Sequence, residues 1–167
     1  MPVHKLGNPT FGYSGRVRIS KLFEDHTPFL NKIITVAGWA RNSRAGGKEL
    51  MFIELTDGSC IQTLQVVIDA SIAGFDEIIQ SKLGASFKLK GTLIKSPKEG
   101  QEFELQLSQP DRHTATLFGH CDSKDYPFAG KKAHTMEHLR DHAHLRVRTK
   151  LMSSIMRVRS SLAFATH

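Results

Sequence analysis

Alternating apolar and polar residues mark most of the first two thirds of the chain. A β-branched run at 32–44 is followed by four segments with a period of two, at 51–58, 63–69, 86–96 and 101–109, which is the pattern of half-buried β-strands. The positions that the alternation predicts to face a core are Met51, Ile53, Leu55, Leu64, Val66, Ile68, Phe87, Leu89, Leu93, Phe103, Leu105 and Leu107.

The connections between these segments define the fold class. The stretch "RAGGKEL" (44–50) has the glycines of a hairpin turn, and "SPKEGQ" (96–101) predicts a second turn. Residues 71–84 break the alternation, and their later part favours a short helix that ends at Gly84. Five strands with a helix between the third and fourth predict a mainly β protein with a five-stranded OB-fold, a Greek-key barrel whose outer face commonly binds single-stranded nucleic acid. An SH3-like barrel shares much of this pattern.

After about residue 110 the pattern becomes mostly helical. Thr149 can cap the start of a last helix. Apolar residues recur every three or four positions along this helix, at Leu151, Ile155, Val158, Leu162 and Ala165. A terminal helix with such a stripe needs a partner, which is either the barrel or the remainder of the helix's own domain.

Composition narrows the class of protein. The 167 residues suffice for one domain with an appendage, and 40% hydrophobic with 23% charged residues is typical of a soluble globular protein. No apolar run approaches the length of a membrane span, and the first residues lack the apolar middle of a signal peptide. Cys60 and Cys121 form neither a disulfide framework nor a metal-binding pair, which indicates a reducing, cytoplasmic location.

The net charge of +7 is unevenly distributed. After residue 120 lie 9 of the 23 Lys and Arg residues but 4 of the 16 Asp and Glu residues. Clustered cations favour an anionic partner such as a nucleic acid. Because many basic proteins bind no nucleic acid, the charge does not decide the function by itself.

The candidate site lies on the polar faces of the predicted strands. Phe52, Gln65 and Glu104 fall opposite the apolar positions of their strands, and Arg41 and Arg44 precede the hairpin that leads to Phe52. An exposed aromatic ring can stack on an unpaired base, and Gln and Glu can hydrogen-bond to base edges while arginines hold the backbone. The alternative is that a β-bulge shifts the faces and places Phe52 in the core, with Gln65 and Glu104 merely solvated.

A second cluster contains histidines. His134, His138 and His142 are four residues apart on a predicted helix, a spacing that could place metal ligands on one side. No cysteine flanks them and the surrounding residues are charged, so we expect no metal site. The sequence contains no catalytic triad, phosphate-binding glycine loop or nucleophile elbow.

Several segments together resemble one family. They are "GWARNSR", "MFIELTDGSC", "LQVVID", "SPKEGQEFEL", "YPFAGKKAHTMEHLRDHAHLRVRT" and "RVRSSLAFATH", of which the last two are the most specific. From about residue 16 to residue 167 the chain is similar to the first part of the asparaginyl-tRNA synthetases. The related aspartyl enzymes share the OB-fold and a looser form of the histidine-rich segment.

The resemblance implies a division of the chain. Residues 1–15 would be a loose leader, 16–115 the OB-fold anticodon-binding domain, 116–148 a hinge, and 149–167 the start of a truncated class II catalytic domain.

It also implies roles for the candidate residues. Phe52 would stack on the central anticodon base, and Gln65 would read that base. Arg44 would contact the anticodon stretch, and Glu104 would lie near the third anticodon base, in a tRNA for asparagine with the anticodon GUU.

The resemblance further limits what the chain would do by itself. The full-length enzymes of this family are homodimers that use ATP and Mg²⁺ to attach asparagine to tRNA, and the groups that bind ATP lie beyond residue 167. We therefore expect a chain that binds the anticodon stem-loop of tRNA, needs no cofactor and is catalytically inactive alone. The alternatives are an aspartyl-tRNA synthetase domain, a general single-strand-binding OB-fold protein, and an interaction fragment whose basic tail helix binds a partner protein.

Overall fold

The computed structural model describes residues 15–81, 83–97, 100–122, 126–128 and 134–167, so almost all of the predicted leader lies outside the described residues. Six strands are present: β1 (Ile33–Gly46), β2 (Leu50–Thr56), β3 (Leu64–Asp69), β4 (Ser86–Lys95), β5 (Phe103–Leu107) and β6 (Thr114–Gly119). The α-helices are α1 (Ile19–Glu24), α2 (Phe75–Gln80), α3 (Met136–Asp141) and α4 (Lys150–Ala165).

Strands β1 to β5 close into a barrel. Residues 33–39 of β1 pair with β4 and residues 39–46 pair with β2, so one strand joins both ends of the order β1-β2-β3-β5-β4. Strands β3 and β5 are parallel, and the other pairs are antiparallel. Gly38 lies beside the change of partner, where any Cβ would collide with the carbonyl oxygen of Thr56. The closed barrel confirms the predicted OB-fold.

The interior of the barrel is the hydrophobic core. All the residues predicted from the alternation to face the core are buried, each with at most 3% of its surface exposed. Ile19 and Leu22 of α1, and Phe75 and Ile78 of α2, pack against the same core. Because strand faces alternate strictly, these inward residues also fix which residues face outward.

A β-bulge interrupts β1 at Arg41. Ala40 pairs with Leu55 of β2, whereas Asn42 pairs with the next residue of that strand, Glu54, so Arg41 is the extra residue. A one-residue insertion reverses the alternation beyond it. The residues of β1 that follow the bulge therefore face the side of the sheet opposite to the one that unbroken alternation predicts.

Two local features differ from the sequence prediction. Helix α2 ends at Gln80 rather than at Gly84, because Ser81 is extended and its hydroxyl donates to the carbonyl of Ile78 at 2.6 Å. Strand β6, which was not predicted, pairs with β4. Its residues are half-buried or exposed in alternation, so β6 lacks the buried apolar set that revealed the other strands.

The C-terminal segment forms a small second core beside the barrel. Phe128, Leu139 of α3 and Met152 of α4 are buried together. Thr149 caps α4 as predicted, since its hydroxyl oxygen accepts from the backbone N–H of Met152 at 3.4 Å. Met152 is the one buried residue of α4.

Two arginines join this segment to the barrel. The guanidinium of Arg148 lies 3.9 Å from the ring centroid of Trp39 in β1. Arg157 of α4 donates to the backbone carbonyls of Gly58 and Ser59, the second at 3.2 Å. Polar contacts thus supply much of the attachment between α4 and the barrel.

The predicted stripe of α4 is exposed. The apolar stripe, as we call it below, comprises Leu151, Ile155, Val158 and Leu162, which are 38–60% exposed, and Ala165, which is exposed as well. Phe164, beside the stripe, is 86% exposed. Within the described part of the chain, no helix is both long enough and apolar enough to cross a membrane.

Candidate nucleic-acid interface

The outer face of the barrel presents two neighbouring rows of side chains that run across the strands. The aromatic row consists of Arg44, Phe52, Val67 and Gln106, on β1, β2, β3 and β5. The polar row consists of Asn42, Glu54, Gln65 and Glu104, on the same strands. Four of the five predicted site residues therefore lie on one continuous surface.

The bulge explains how Arg44 reaches this surface. Ala40 faces the core, so with unbroken alternation Arg44 would face the core as well. The extra residue at Arg41 reverses the pattern and pairs Arg44 with Phe52. A basic side chain is thereby placed beside an aromatic one.

Phe52 lies on the outer face and not in the core. It is half-buried, whereas its neighbours Met51 and Ile53 are fully buried on the other side of the strand. The guanidinium of Arg44 lies 4.6 Å from the ring centroid of Phe52, which is a cation–π contact. The ring also lies against the backbone of Gly46, where an added Cβ would be 2.5 Å from the ring carbon Cε2. The absence of a side chain at Gly46 thus makes room for the ring.

Hydrogen bonds join the two residues at each end of the polar row to each other. The amide nitrogen Nδ2 of Asn42 donates to Oε1 of Glu54 at 3.2 Å. Further along the row, Nε2 of Gln65 donates to Oε2 of Glu104 at 3.4 Å. Glu54 is exposed and Gln65 is half-buried, so their polar atoms are accessible to a ligand.

Glu104 is placed differently from the accessible position that we expected. It lies on the outer face, but only 6% of it is exposed. Besides Gln65, the hydroxyl of Ser96 and Nε2 of Gln101 donate to the same carboxylate oxygen, at 3.4 Å and 3.3 Å. Buried carboxylates require such partners. Glu104 is thus a hydrogen-bonding centre beneath the surface.

Arg41 is the predicted site residue that lies apart from the others. It lines a cleft of about 410 Å³ between the barrel and the C-terminal segment, together with Trp39, Tyr126 and Arg148. Burial raises the pKa of the Tyr126 phenol, and the positive charges of Arg148 and Arg41 partly oppose this effect. Arg41 therefore contributes positive charge to the cleft, which Glu54 of the polar row also lines.

Sequence analysis missed six residues of this surface, namely Asn42, Glu54, Val67, Ser96, Gln101 and Gln106. Asn42 faces outward only because of the bulge, and Val67 can be placed opposite Phe52 only when the strand register is known. Ser96 and Gln101 lie in the predicted turn between β4 and β5, where nothing in the pattern connects them with Glu104. Glu54 was foreseeable, because it falls on the same face of its strand as Phe52.

The three histidines form a stack of rings. The rings of His134 and His138 lie 5.1 Å apart with an interplanar angle of 18°, and those of His138 and His142 lie 4.6 Å apart. The ring of Phe128 contacts all three edge-on. His138 also hydrogen-bonds through Nε2 to the carbonyl of Pro127 at 3.1 Å. Among the described residues, no group of three His, Cys, Asp or Glu side chains is arranged to hold a metal ion.

Sequence comparison identifies relatives of this chain. Residues 34–109 match a family of tRNA anti-codon type, described as an OB-fold nucleic acid binding domain. The asparagine–tRNA ligase of Clostridium tetani is 38% identical over 152 residues, which cover 91% of this chain and 31% of the ligase. The ligase of Bacillus cereus is 40% identical over 149 residues, which cover 89% of this chain and 30% of the ligase. The chain spans about a third of the length of these relatives.

Solved structures share the fold. The asparaginyl-tRNA synthetase from Pyrococcus horikoshii in complex with asparaginyl-adenylate matches with a TM-score of 0.74 at 18% identity, over 91% of this chain and 33% of that one. The aspartyl-tRNA synthetase from Entamoeba histolytica matches with a TM-score of 0.65 at 14% identity, over 96% of this chain and 38% of that one. At such identities the likeness shows the fold alone, whereas the bacterial ligases show the relationship. The chain therefore belongs to the asparaginyl-tRNA synthetase family and contains the anticodon-binding OB-fold domain of that family.

Proposed function

We propose that the chain binds the anticodon loop of a tRNA with the anticodon GUU through the aromatic and polar rows. The observation that carries the proposal is the arrangement around Phe52. A half-buried ring lies under an arginine on the outer face of an OB-fold, and Gln65 lies on the neighbouring strand opposite Glu54, which is two residues from Phe52. This combination provides a stacking surface, a cation and a hydrogen-bonding group for one unpaired nucleotide.

The ring and the cation act on different parts of the RNA. The central base of the anticodon displaces Arg44 from the face of Phe52 and stacks there, which contributes about 1–3 kcal/mol. Arg44, exposed at the end of β1, then pairs with a neighbouring phosphate, because a guanidinium fits a phosphate with two parallel hydrogen bonds. Gln65 hydrogen-bonds to the edge of the stacked base.

The relatives are named asparagine–tRNA ligases. We propose that, in such a ligase, the surface around Phe52 selects the tRNA to which asparagine is attached at the expense of ATP.

The test is binding of the chain to a GUU anticodon stem-loop, measured by titration at fixed salt. We expect the change of the central U to A, and separately Phe52→Ala, to weaken binding by about 1–3 kcal/mol each. Gly46→Ala pushes a methyl group into the ring and weakens binding as well. Because both substitutions act through one ring, Gly46→Ala adds little to Phe52→Ala in the double variant.

Phe118→Ala is the matched control. Phe118 is a 54% exposed aromatic on β6, away from both rows, so its removal leaves the affinity for RNA unchanged. Equal binding of the wild type, Phe52→Ala and the altered loop would refute base stacking and leave a general single-strand binder. Affinity that does not fall with added salt would contradict any nucleic-acid function, since phosphate contacts release counterions.

A further inference from the structure

The hydrogen bonds of Glu104 determine how the amide of Gln65 is oriented. A side-chain amide has a carbonyl oxygen that only accepts and a nitrogen that only donates, and a carboxylate only accepts. Gln65 lies 3.4 Å from Oε2 of Glu104, so its nitrogen Nε2 must be the atom that faces the carboxylate. Its oxygen Oε1 consequently points away from Glu104.

Glu104 is itself held in place from two further positions. Ser96 follows the end of β4 and Gln101 precedes β5, and each donates to the same oxygen of Glu104 as Gln65 does. With 6% of its surface exposed, the carboxylate has little access to a ligand. Three donors, one on β3 and two in the connection between β4 and β5, therefore fix the carboxylate, and the carboxylate fixes the amide.

We infer that Glu104 is a positioning residue rather than a base-reading one, and that it makes Gln65 present an acceptor to ring atom N3 of the base, which selects a pyrimidine whose N3 carries a proton. The inference rests on the proposed function, because it assumes that a base lies beside Gln65. Uracil has a donor at N3, whereas N3 of cytosine carries a lone pair. Gln65 thus accepts from N3–H of uracil and opposes the lone pair of cytosine.

The hydrogen bonds that connect Ser96 and Gln101 to Gln65 through Glu104 also assign roles to Ser96 and Gln101. Neither residue needs to touch the RNA, yet each restricts the carboxylate that orients Gln65. The connection between β4 and β5 therefore controls the choice of base indirectly. Substitutions there change the preference between uracil and cytosine more than they change the overall affinity.

The experiment compares two anticodon stem-loops that differ only in having U or C at the central position. We expect the wild type to bind the U loop at least about tenfold more tightly, because in the C loop the oxygen of Gln65 faces the lone pair of N3 instead of an N3–H donor. In Glu104→Gln the new amide accepts or donates, so Gln65 is free to turn. The ratio of the two affinities falls towards one, mainly through tighter binding of the C loop. Gln101→Ala lowers the ratio by a smaller factor.

Glu102→Gln is the control for charge. Glu102 is exposed and precedes β5, and its carboxylate lies 3.8 Å from His26. Its backbone carbonyl accepts from the backbone N–H of Ser96 at 3.1 Å, a bond that Glu102→Gln keeps. Removing either carboxylate strengthens RNA binding in general, but Glu102→Gln leaves the ratio of U to C binding as in the wild type. Thermal unfolding of each variant checks that the barrel is intact, and Gln101→Ala provides the test if Glu104→Gln is unfolded.

Three results would overturn the inference. One is an unchanged ratio in Glu104→Gln, and another is a wild type that depends on Phe52 but binds the U and C loops equally. The third is a Glu104→Gln variant that alters the preference at the third anticodon base alone, which would make Glu104 a direct reader. All three leave anticodon binding standing, because that function is tested separately, by Phe52→Ala, by the change of U to A and by the salt dependence of the affinity.

Discussion

The chain exposes two surfaces with apolar residues, and they are built differently. On the outer face of the barrel, the half-buried Phe52 is flanked by Arg44, by the buried Val67 and by the hydrogen-bonded polar row. On α4, the large residues of the apolar stripe are 38–60% exposed over four turns of helix, and all members of the stripe are aliphatic. A ring among polar groups suits a ligand that is both aromatic and charged, as RNA is, whereas a continuous aliphatic stripe suits another apolar surface.

The two surfaces also differ in what supports them. The strands that carry Phe52 and Gln65 have fully buried residues on their other side, so any displacement of the outer face disturbs the core. Helix α4 buries only Met152 and is tied to the barrel largely by Arg157. We therefore expect the barrel face to be rigid and α4 to separate from the barrel at lower free energy.

The largest expected effect is the difference in stability between replacing a buried leucine of the barrel and replacing an exposed leucine of α4. Leu89 of β4 is fully buried and Leu162 of α4 is 60% exposed. Leu89→Ala leaves a cavity and should lower the free energy of unfolding by about 2–5 kcal/mol, while Leu162→Ala should change it by about 0.5 kcal/mol or less. Urea denaturation of both variants measures the difference. A cost above about 1.5 kcal/mol for Leu162→Ala would mean that the stripe is covered in solution, which the structure of the single chain does not show.

The second largest effect should be a dependence of the barrel's stability on pH. His113 is 2% exposed, and its Nδ1 accepts from the backbone N–H groups of Ser108 and Gln109 at 3.0 and 3.1 Å. Its Nε2 therefore carries the proton and donates to the hydroxyl of Thr92 at 2.9 Å. Burial, and then the charges of Arg112 and Lys90, lower the pKa of His113 below its ordinary value.

The sign of the pH dependence follows from this shift. The unfolded chain takes up the proton of this histidine at higher pH than the folded chain, so the stabilisation is complete above about pH 6.5 and is lost as the pH falls. Removal of the ring by His113→Ala should lower the free energy of unfolding by about 1–3 kcal/mol at pH 7. In the variant, the free energy of unfolding should also fall less as the pH is lowered. Unfolding curves between pH 5 and pH 8 test this, with the exposed His120 as control. If His120→Gln flattens the curve equally, the assignment to His113 is wrong.

Much of the barrel was predictable from the sequence because burial imposes a period of two. Every strand with an apolar face was found, whereas β6, with no buried set, was not. The cap at Thr149 and the apolar stripe of α4 were also predictable, since both depend on local spacing, but the spacing left open whether the barrel or another part of the domain covers the stripe.

The site was predictable only in part, because its geometry depends on pairing between distant strands. Alternation placed Phe52 and Gln65 on the outer face. It could not reveal that the bulge at Arg41 turns Arg44 outward while Arg41 itself lines the cleft. Nor could it show that Glu104 is covered by donors, since these come from a turn whose conformation no periodic pattern encodes.

The smallest effect should come from the contact that joins the two regions. Arg157 donates to the carbonyls of Gly58 and Ser59, and its Nε is buried with no hydrogen-bond partner. Arg157→Ala should therefore cost about 1 kcal/mol, part of the gain from two bonds being offset by the buried Nε. Hydrogen exchange should show faster opening of α4 with unchanged protection of β2 and β3. Arg159→Ala, an exposed arginine on the same helix, removes the same charge without the contact and should leave both unchanged. Equal acceleration in α4 and in the barrel strands would instead mean that the two regions unfold as one cooperative unit, and the contrast between a rigid face and a loosely held helix would fail.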